Sequence, residues 1–232
     1  MNTTPARSAD HEMVVRFSFW ARFQHAAVIL LFGLLLVTGM PQKWPYVEAS
    51  QWLIDRLGGI FAARWIHRTA GLVFTAFVLV HLSSVITSVA TRRAPPSMLF
   101  ARQDFHDVIR HLRYYVGRAD SPPRFGRFDY RQKFEYWGLI FGAAIMMVSG
   151  LILYFPIQVS RILPAELIPA AKVMHSNEAL LAFAIVLLWH MYSAHLSPES
   201  FPMDTSIFTG KIRKDRLRHH HALEYEERFG RQ

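Results

Sequence analysis

The stretch Val173–His195, VMHSNEALLAFAIVLLWHMYSAH, places a histidine near each end of a run dominated by Ala, Leu, Ile, Val, Phe and Trp. His175 and His190 are 15 residues apart. In an α-helix that spacing is a rotation of about 60° beyond four full turns and a rise of about 22 Å. Two imidazoles therefore lie on roughly one face, near opposite edges of an apolar layer. An imidazole is costly in hydrocarbon without a partner, so two at separate depths call for a cause.

The same layout recurs upstream. Apolar stretches cover about 21–40, 66–90, 134–156 and 173–196, each near the 20 or so residues that cross a hydrocarbon core of about 30 Å. Of the 232 residues 52% are hydrophobic. The expected fold is an all-α membrane protein, a bundle of four transmembrane helices over 21–196. A polar tail over 1–20 precedes it and a basic tail over 197–232 follows. The polar residues are too few and too scattered to predict a second folded domain, so a catalytic domain is expected from another subunit.

The net charge of +9 does not point to nucleic acid, because the basic residues are asymmetrically placed. The connection between spans two and three carries ten Arg and Lys, against three between spans one and two and two between spans three and four. Arg7, Arg16 and Arg22 precede span one, and Lys211 to Arg218 is a basic segment after span four. By the positive-inside rule both termini and the long middle connection are predicted to be cytoplasmic, in a bacterial inner membrane. The absence of cysteine excludes thiolate-bound clusters, disulfides and covalently attached haem in this chain, which leaves histidine as the metal ligand.

Between the spans, Val47 to Leu57 reads as a short helix lying on the outer face. Met98 to Val116 reads as an amphipathic helix at the anionic inner surface. Pro41 is expected to stop span one. Gly138, Gly142, Ser149 and Gly150 make span three a close-packing helix. The run His219, His220, His221 is not a metal site by spacing, since consecutive helical residues diverge.

The alternating direction of the spans assigns each intramembrane histidine a depth. His67 and His175 fall near the outer face; His25, His81 and His190 fall near the inner face. Opposed imidazoles from neighbouring helices are what a six-coordinate b-type haem requires. Two haem b layers would carry electrons across the bilayer, with His190 pairing with either His25 or His81. Arg68 beside His67, and Arg22 and Arg131 near the inner layer, are candidates for haem propionates. A non-haem metal protein of the desaturase type would cluster histidines at helical i, i+3 or i+4 spacing. A proton-coupled transporter would bring more acid into the spans, where Glu135 and Glu178 stand near the ends.

Arg22 to His25, Thr38-Gly39, Arg64 to Gly71, Tyr130 to Tyr136, Trp189 to Tyr192 and the tail TSIFTGKIRKDRLRHHHALEYEE resemble the cytochrome b (gamma) subunits of respiratory formate dehydrogenase and related hydrogenase b-type cytochromes. The resemblance implies two haems, the outer held by His67 and His175, the inner by His25 and His190. It also implies a quinone site at the start of span three, at Asp129, Arg131 and Gln132, and a role as the quinone-reactive electron-transfer subunit of an oxidoreductase complex. An Fe–S or multihaem cytochrome c subunit is implied at the outer face, the latter because HSNEALLAF and FPMDTSIFTGK are similar to a branch associated with such cytochromes. Two features depart from the pattern. His81 has no counterpart, and the span-four pair is 15 apart where the family has 14, which turns one ligand by about a quarter turn.

Overall fold

The computed structural model describes residues 12–198 and 200–230. Residues 1–11 of the expected N-terminal tail, Arg7 among them, lie outside the described residues. In order, the elements are strand β1 (Met13–Val15), helices α1 (Phe19–Lys43), α2 (Glu48–Arg56), α3 (Ile60–Ala90), α4 (Arg102–Tyr115), α5 (Tyr130–Tyr154), α6 (Pro156–Ser160) and α7 (Leu167–Ala184). Helix α7 continues in π geometry to Leu196, and then come α8 (Ser206–Thr209), β2 (Lys211–Arg213), α9 (Lys214–His220) and α10 (Ala222–Phe229). Four spans are long and apolar enough to cross a bilayer: α1, α3, α5 and the continuous helix Leu167–Leu196.

Each span starts before its apolar stretch, because helical hydrogen bonding does not require apolar side chains. Helix α3 starts at Ile60, where Gly58 and Gly59 turn the chain out of α2 at φ of 91° and 90°, a region that glycine enters without steric cost. Pro41 does not stop α1, which runs on to Lys43. Proline's fixed φ is itself helical, and the Gln42 amide donates to the Thr38 carbonyl at 2.7 Å, so the last turn keeps a side-chain partner.

The chain divides into two compact units. The first comprises Phe23–Thr91 and Leu139–Met203, and so holds most of the four spans. At most 11% of the most apolar window of any span is buried, so these helices turn their apolar side chains outward, as lipid requires. What they enclose is small or polar: Ala63, Ala70, Thr38 and Ser149 are all nearly or fully buried.

The second unit gathers the N-terminal strand, the connection Arg92–Gly138 and the segment from Asp204 onward. These segments, scattered along the chain, thus lie within one compact unit. Strand β1 pairs antiparallel with β2, Val14 opposite Ile212. Ile212 and Leu217 are buried, but the unit's interior is mainly ionic. Arg16 donates to Glu224 at 2.6 Å and to the Arg127 carbonyl at 2.8 Å, and Arg127 returns a bond to the Arg16 carbonyl at 2.8 Å. The His221 Nδ1–H donates to the Gly126 carbonyl at 2.7 Å, so its Nε2 accepts from Arg16 at 2.9 Å. Burial, with the Arg16 charge adding to it, lowers the His221 pKa to about 4, so the imidazole is neutral.

Helix α4 turns its polar face inward. Asp104, Asp107 and His111 are buried, whereas Phe105, Ile109, Leu112 and Val116 are exposed. Lys133 reaches both carboxylate oxygens of Asp104 at 2.8 Å, which clips α4 to the start of α5. An outward apolar stripe with arginines beside it is the form expected of a helix lying in a leaflet surface.

Candidate haem-binding site

Inside the four-span unit the histidines stand in two facing pairs. His67 of α3 faces His175 of α7 with ring centroids 6.3 Å apart and planes at 82°. His25 of α1 faces His190, in the π-helical continuation of α7, at 6.2 Å and 44°. A first-row metal sits about 2 Å from an imidazole nitrogen, and the ring centroid lies about 1 Å farther back. Two imidazoles on opposite sides of one iron therefore have centroids about 6 Å apart, which both pairs match. The donor chemistry fits as well, since neutral imidazoles are the axial ligands of b-type haem.

Local structure explains each member of the first pair. Thr38 Oγ1 and His67 Nδ1 are 3.0 Å apart, and so are Ser149 Oγ and His175 Nδ1. Each hydroxyl is followed by a glycine on which the ring lies. A Cβ at Gly39 would stand 2.9 Å from His67 Cε1, and one at Gly150 would stand 3.2 Å from His175 Cε1. Lys43 bonds Ser176 Oγ at 2.8 Å and Asn177 Oδ1 at 2.9 Å, joining the end of α1 to the turn after His175.

The second pair depends on a change of helix type. Over 15 α-helical residues His190 would sit about 60° past His175. Instead, Ile185–His190 and Tyr192–Leu196 are π-helical, with Met191 N–H bonded to the Val186 carbonyl and Ser197 N–H to the Tyr192 carbonyl. A π turn takes up an extra residue without advancing the helix face. The odd residue of the 15-residue spacing is absorbed there, and the His190 ring is presented to His25.

His81 is not in this pair; its Nδ1 lies 3.3 Å from Gln24 Oε1. The Arg68 guanidinium lies 5.7 Å from the Tyr154 ring centre, and Arg22 Nε donates to the Phe208 carbonyl at 2.7 Å. Glu178 lies against Gly142, where a Cβ would come within 2.6 Å of its Oε1. In the other unit, Asp129 accepts from the Gln132 backbone N–H at 2.8 Å and takes Arg131 in two bonds of 3.0 and 2.8 Å. Gln132 Oε1 accepts from the Asp129 backbone N–H at 3.1 Å. Asp129, Arg131 and Gln132 thus form one connected cluster at the head of α5.

Thr38 and Ser149 escaped the sequence reading as partners of histidine. Their signal was the hydroxyl-glycine dipeptide, present in spans one and three and opposite a histidine in the span that follows. Among the described residues no cluster of three or more His, Cys, Asp or Glu is placed to hold a metal ion. The facing imidazole pairs are the candidate haem-binding geometry of the spans.

Comparison with known proteins agrees with this geometry. Residues 16–199 match the family described as prokaryotic cytochrome b561. The cytochrome b556(Fdn) subunit of the nitrate-inducible formate dehydrogenase of Escherichia coli K12 is 22% identical over 217 residues, 93% of this chain and 92% of that protein. The cytochrome b556(fdo) subunit of formate dehydrogenase from the same strain is 24% identical, over 93% of each chain. The formate dehydrogenase cytochrome b556 subunit of Haemophilus influenzae is 26% identical over 78% of this chain and 70% of its own length. With four membrane-crossing helices and a match that takes in all of them, the chain belongs to the prokaryotic cytochrome b561 family and is a multi-pass electron-transfer cytochrome b of the bacterial inner membrane.

Proposed function

We propose that this chain is the di-haem b-type subunit of a respiratory oxidoreductase complex, linking a redox partner at the outer face to the quinone pool at the inner face. The observation that carries the reading is the pair of opposed imidazole couples, at 6.3 and 6.2 Å, each with one histidine from span four. In this reading His67 and His175 hold the outer haem, and His25 and His190 the inner one. His25 takes that place rather than His81 because it is the ring that faces His190. Bound haem supplies reversible one-electron iron chemistry at each layer. The chain's own residues orient the imidazoles and exclude water with apolar spans. Arg22 and Arg68 are the candidates to meet propionates.

The positive-inside asymmetry supports a cytoplasmic position for both termini and for the Asp129–Gln132 cluster. Quinone contact is assigned to Asp129, Arg131 and Gln132, whose side chains supply a carboxylate, a guanidinium and an amide at the head of α5. The relatives named as formate dehydrogenase subunits support membership in an oxidoreductase complex, and the partner proposed at the outer face is an Fe–S or multihaem cytochrome c subunit.

A reduced-minus-oxidised spectrum of the purified chain, with haem quantified per polypeptide, tests the reading. Two haem b per chain are expected, and one or none would overturn it. For the quinone assignment, Gln132→Ala is expected to slow haem reduction by a quinol analogue with the haem spectrum unchanged. A rate equal to that of the unaltered chain would remove Gln132 from the site.

A further inference from the structure

We propose that Thr38 and Ser149 are positioning residues for the outer haem. Each accepts the Nδ1 proton of one axial imidazole and thereby leaves the Nε2 lone pair for iron. The inference rests on the reading of His67 and His175 as an axial pair, and it adds which atoms of the chain fix their tautomer and orientation.

Both hydroxyls are fully buried, at 0% exposure. A hydroxyl has one proton to donate. That of Thr38 goes to the Leu34 carbonyl at 2.7 Å, and that of Ser149 goes to the Ile145 carbonyl at 2.6 Å. With the proton so placed, the oxygen has only lone pairs for the imidazole 3.0 Å away. The Leu35 and Met146 carbonyls, each 3.4 Å from the same hydroxyl, offer that proton a second backbone acceptor. With its proton on a carbonyl, neither hydroxyl can donate to the ring, so Nδ1 of each ring must carry the hydrogen. In a neutral imidazole the other nitrogen, Nε2, is then the acceptor and the metal ligand.

The glycine after each hydroxyl completes the device. Gly39 and Gly150 lie against Cε1, the carbon between the two ring nitrogens, closely enough that a Cβ would displace the ring. The hydroxyl fixes which nitrogen faces iron and the glycine fixes the tilt of the ring. Spans one and three each carry one copy of this pair and supply no ligand to the outer haem in the proposed scheme. Their part is to hold the ligands of spans two and four.

Hydrogen bonding to the distal ring nitrogen raises the basicity of the ligand and so favours ferric iron. Thr38→Val and Ser149→Ala should each raise the midpoint potential of one haem and leave the other unmoved. Each should also weaken retention of that haem, by about tenfold. Thr38→Ser should restore both properties, because it keeps the hydroxyl and loses only a methyl group. The measurement is a redox titration followed optically, with haem counted per chain. If the unaltered chain carries fewer than two haem b, the axial-pair reading itself fails before any variant is made. If it carries two and both variants titrate as the unaltered chain does, or at lower potential, the positioning role is overturned. Should Thr38→Val fail to assemble, the smaller deletion Ser149→Ala gives the same readout.

Discussion

The two units bury polar groups for opposite reasons. In the spans, apolar side chains face outward, and what is enclosed is chiefly alanine and the hydroxyls of Thr38 and Ser149, with the facing imidazoles half-buried. In the unit formed by the N-terminal strand, the Arg92–Gly138 connection and the C-terminal segment, Arg16, Glu224, Lys133 and Asp104 are buried as ion pairs. The second set is satisfied within the protein. In the first, Nδ1 of His67 and of His175 meets a hydroxyl, and the two rings face each other at the spacing of a metal between them. The ion pairs tie distant segments of the chain together, whereas the hydroxyls orient imidazoles that face one another.

The sharpest way to break this comparison is to remove the histidines. His67→Ala or His175→Ala should lower the haem content from two per chain to one, and His25→Ala or His190→Ala should remove the other haem. His81→Ala should keep both. Haem extraction and quantification checks each outcome. Loss of a haem in the His81 variant, with retention in the His25 variant, would reverse the assignment of the inner layer.

Next in size is the loss of a buried charge. Arg16→Ala leaves the Glu224 carboxylate, 4% exposed, with Arg127 at 3.2 Å and Arg228 at 3.5 Å, both more exposed than Arg16. Breaking a buried pair in this way costs about 3–5 kcal/mol. Limited proteolysis in detergent should therefore cut the α10 segment far sooner, while the haem spectrum stays as it was. An exposed pair, Arg124 with Glu226, is the contrast. Arg124→Ala should change stability by less than about 1 kcal/mol.

The four spans were legible in the sequence, because membrane thickness fixes span length, and so was the shared face of His175 and His190, because the 100° helical period fixes it. The choice between His25 and His81 was not. It turns on the π geometry of Ile185–Leu196, and no residue in that stretch announces a π turn. Nor were Thr38 and Ser149 legible as partners of histidine, since a hydroxyl bonded to a carbonyl one turn back is ordinary in a helix. The Arg16–Glu224 pair joins residues 208 positions apart, and sequence periodicity carries no information at that range. The family resemblance reached the histidine pairs by a different route, through the motifs that flank them.

The most gradual effect comes from His221, where the polar unit holds an imidazole between Arg16 and the Gly126 carbonyl. Its folded-state pKa is about 4, below the ordinary 6.5, because burial and Arg16 both oppose a second positive charge. The unfolded chain therefore takes up a proton at this position before the folded one does. The stability of this unit should be flat above about pH 6.5, fall as pH drops toward 4, and level off below that, at about 1.4 kcal/mol per pH unit at the steepest. Hydrogen exchange in α9 and α10, measured between pH 7 and 5, should show the loss. His221→Gln removes the titrating group, so its exchange, corrected for intrinsic rate, should show a shallower dependence on pH. An equal slope in both proteins would mean that another group carries the acid sensitivity. A steeper loss in the spans than in α9 and α10 would instead place the sensitive imidazoles among the haem ligands, where bound iron should protect them.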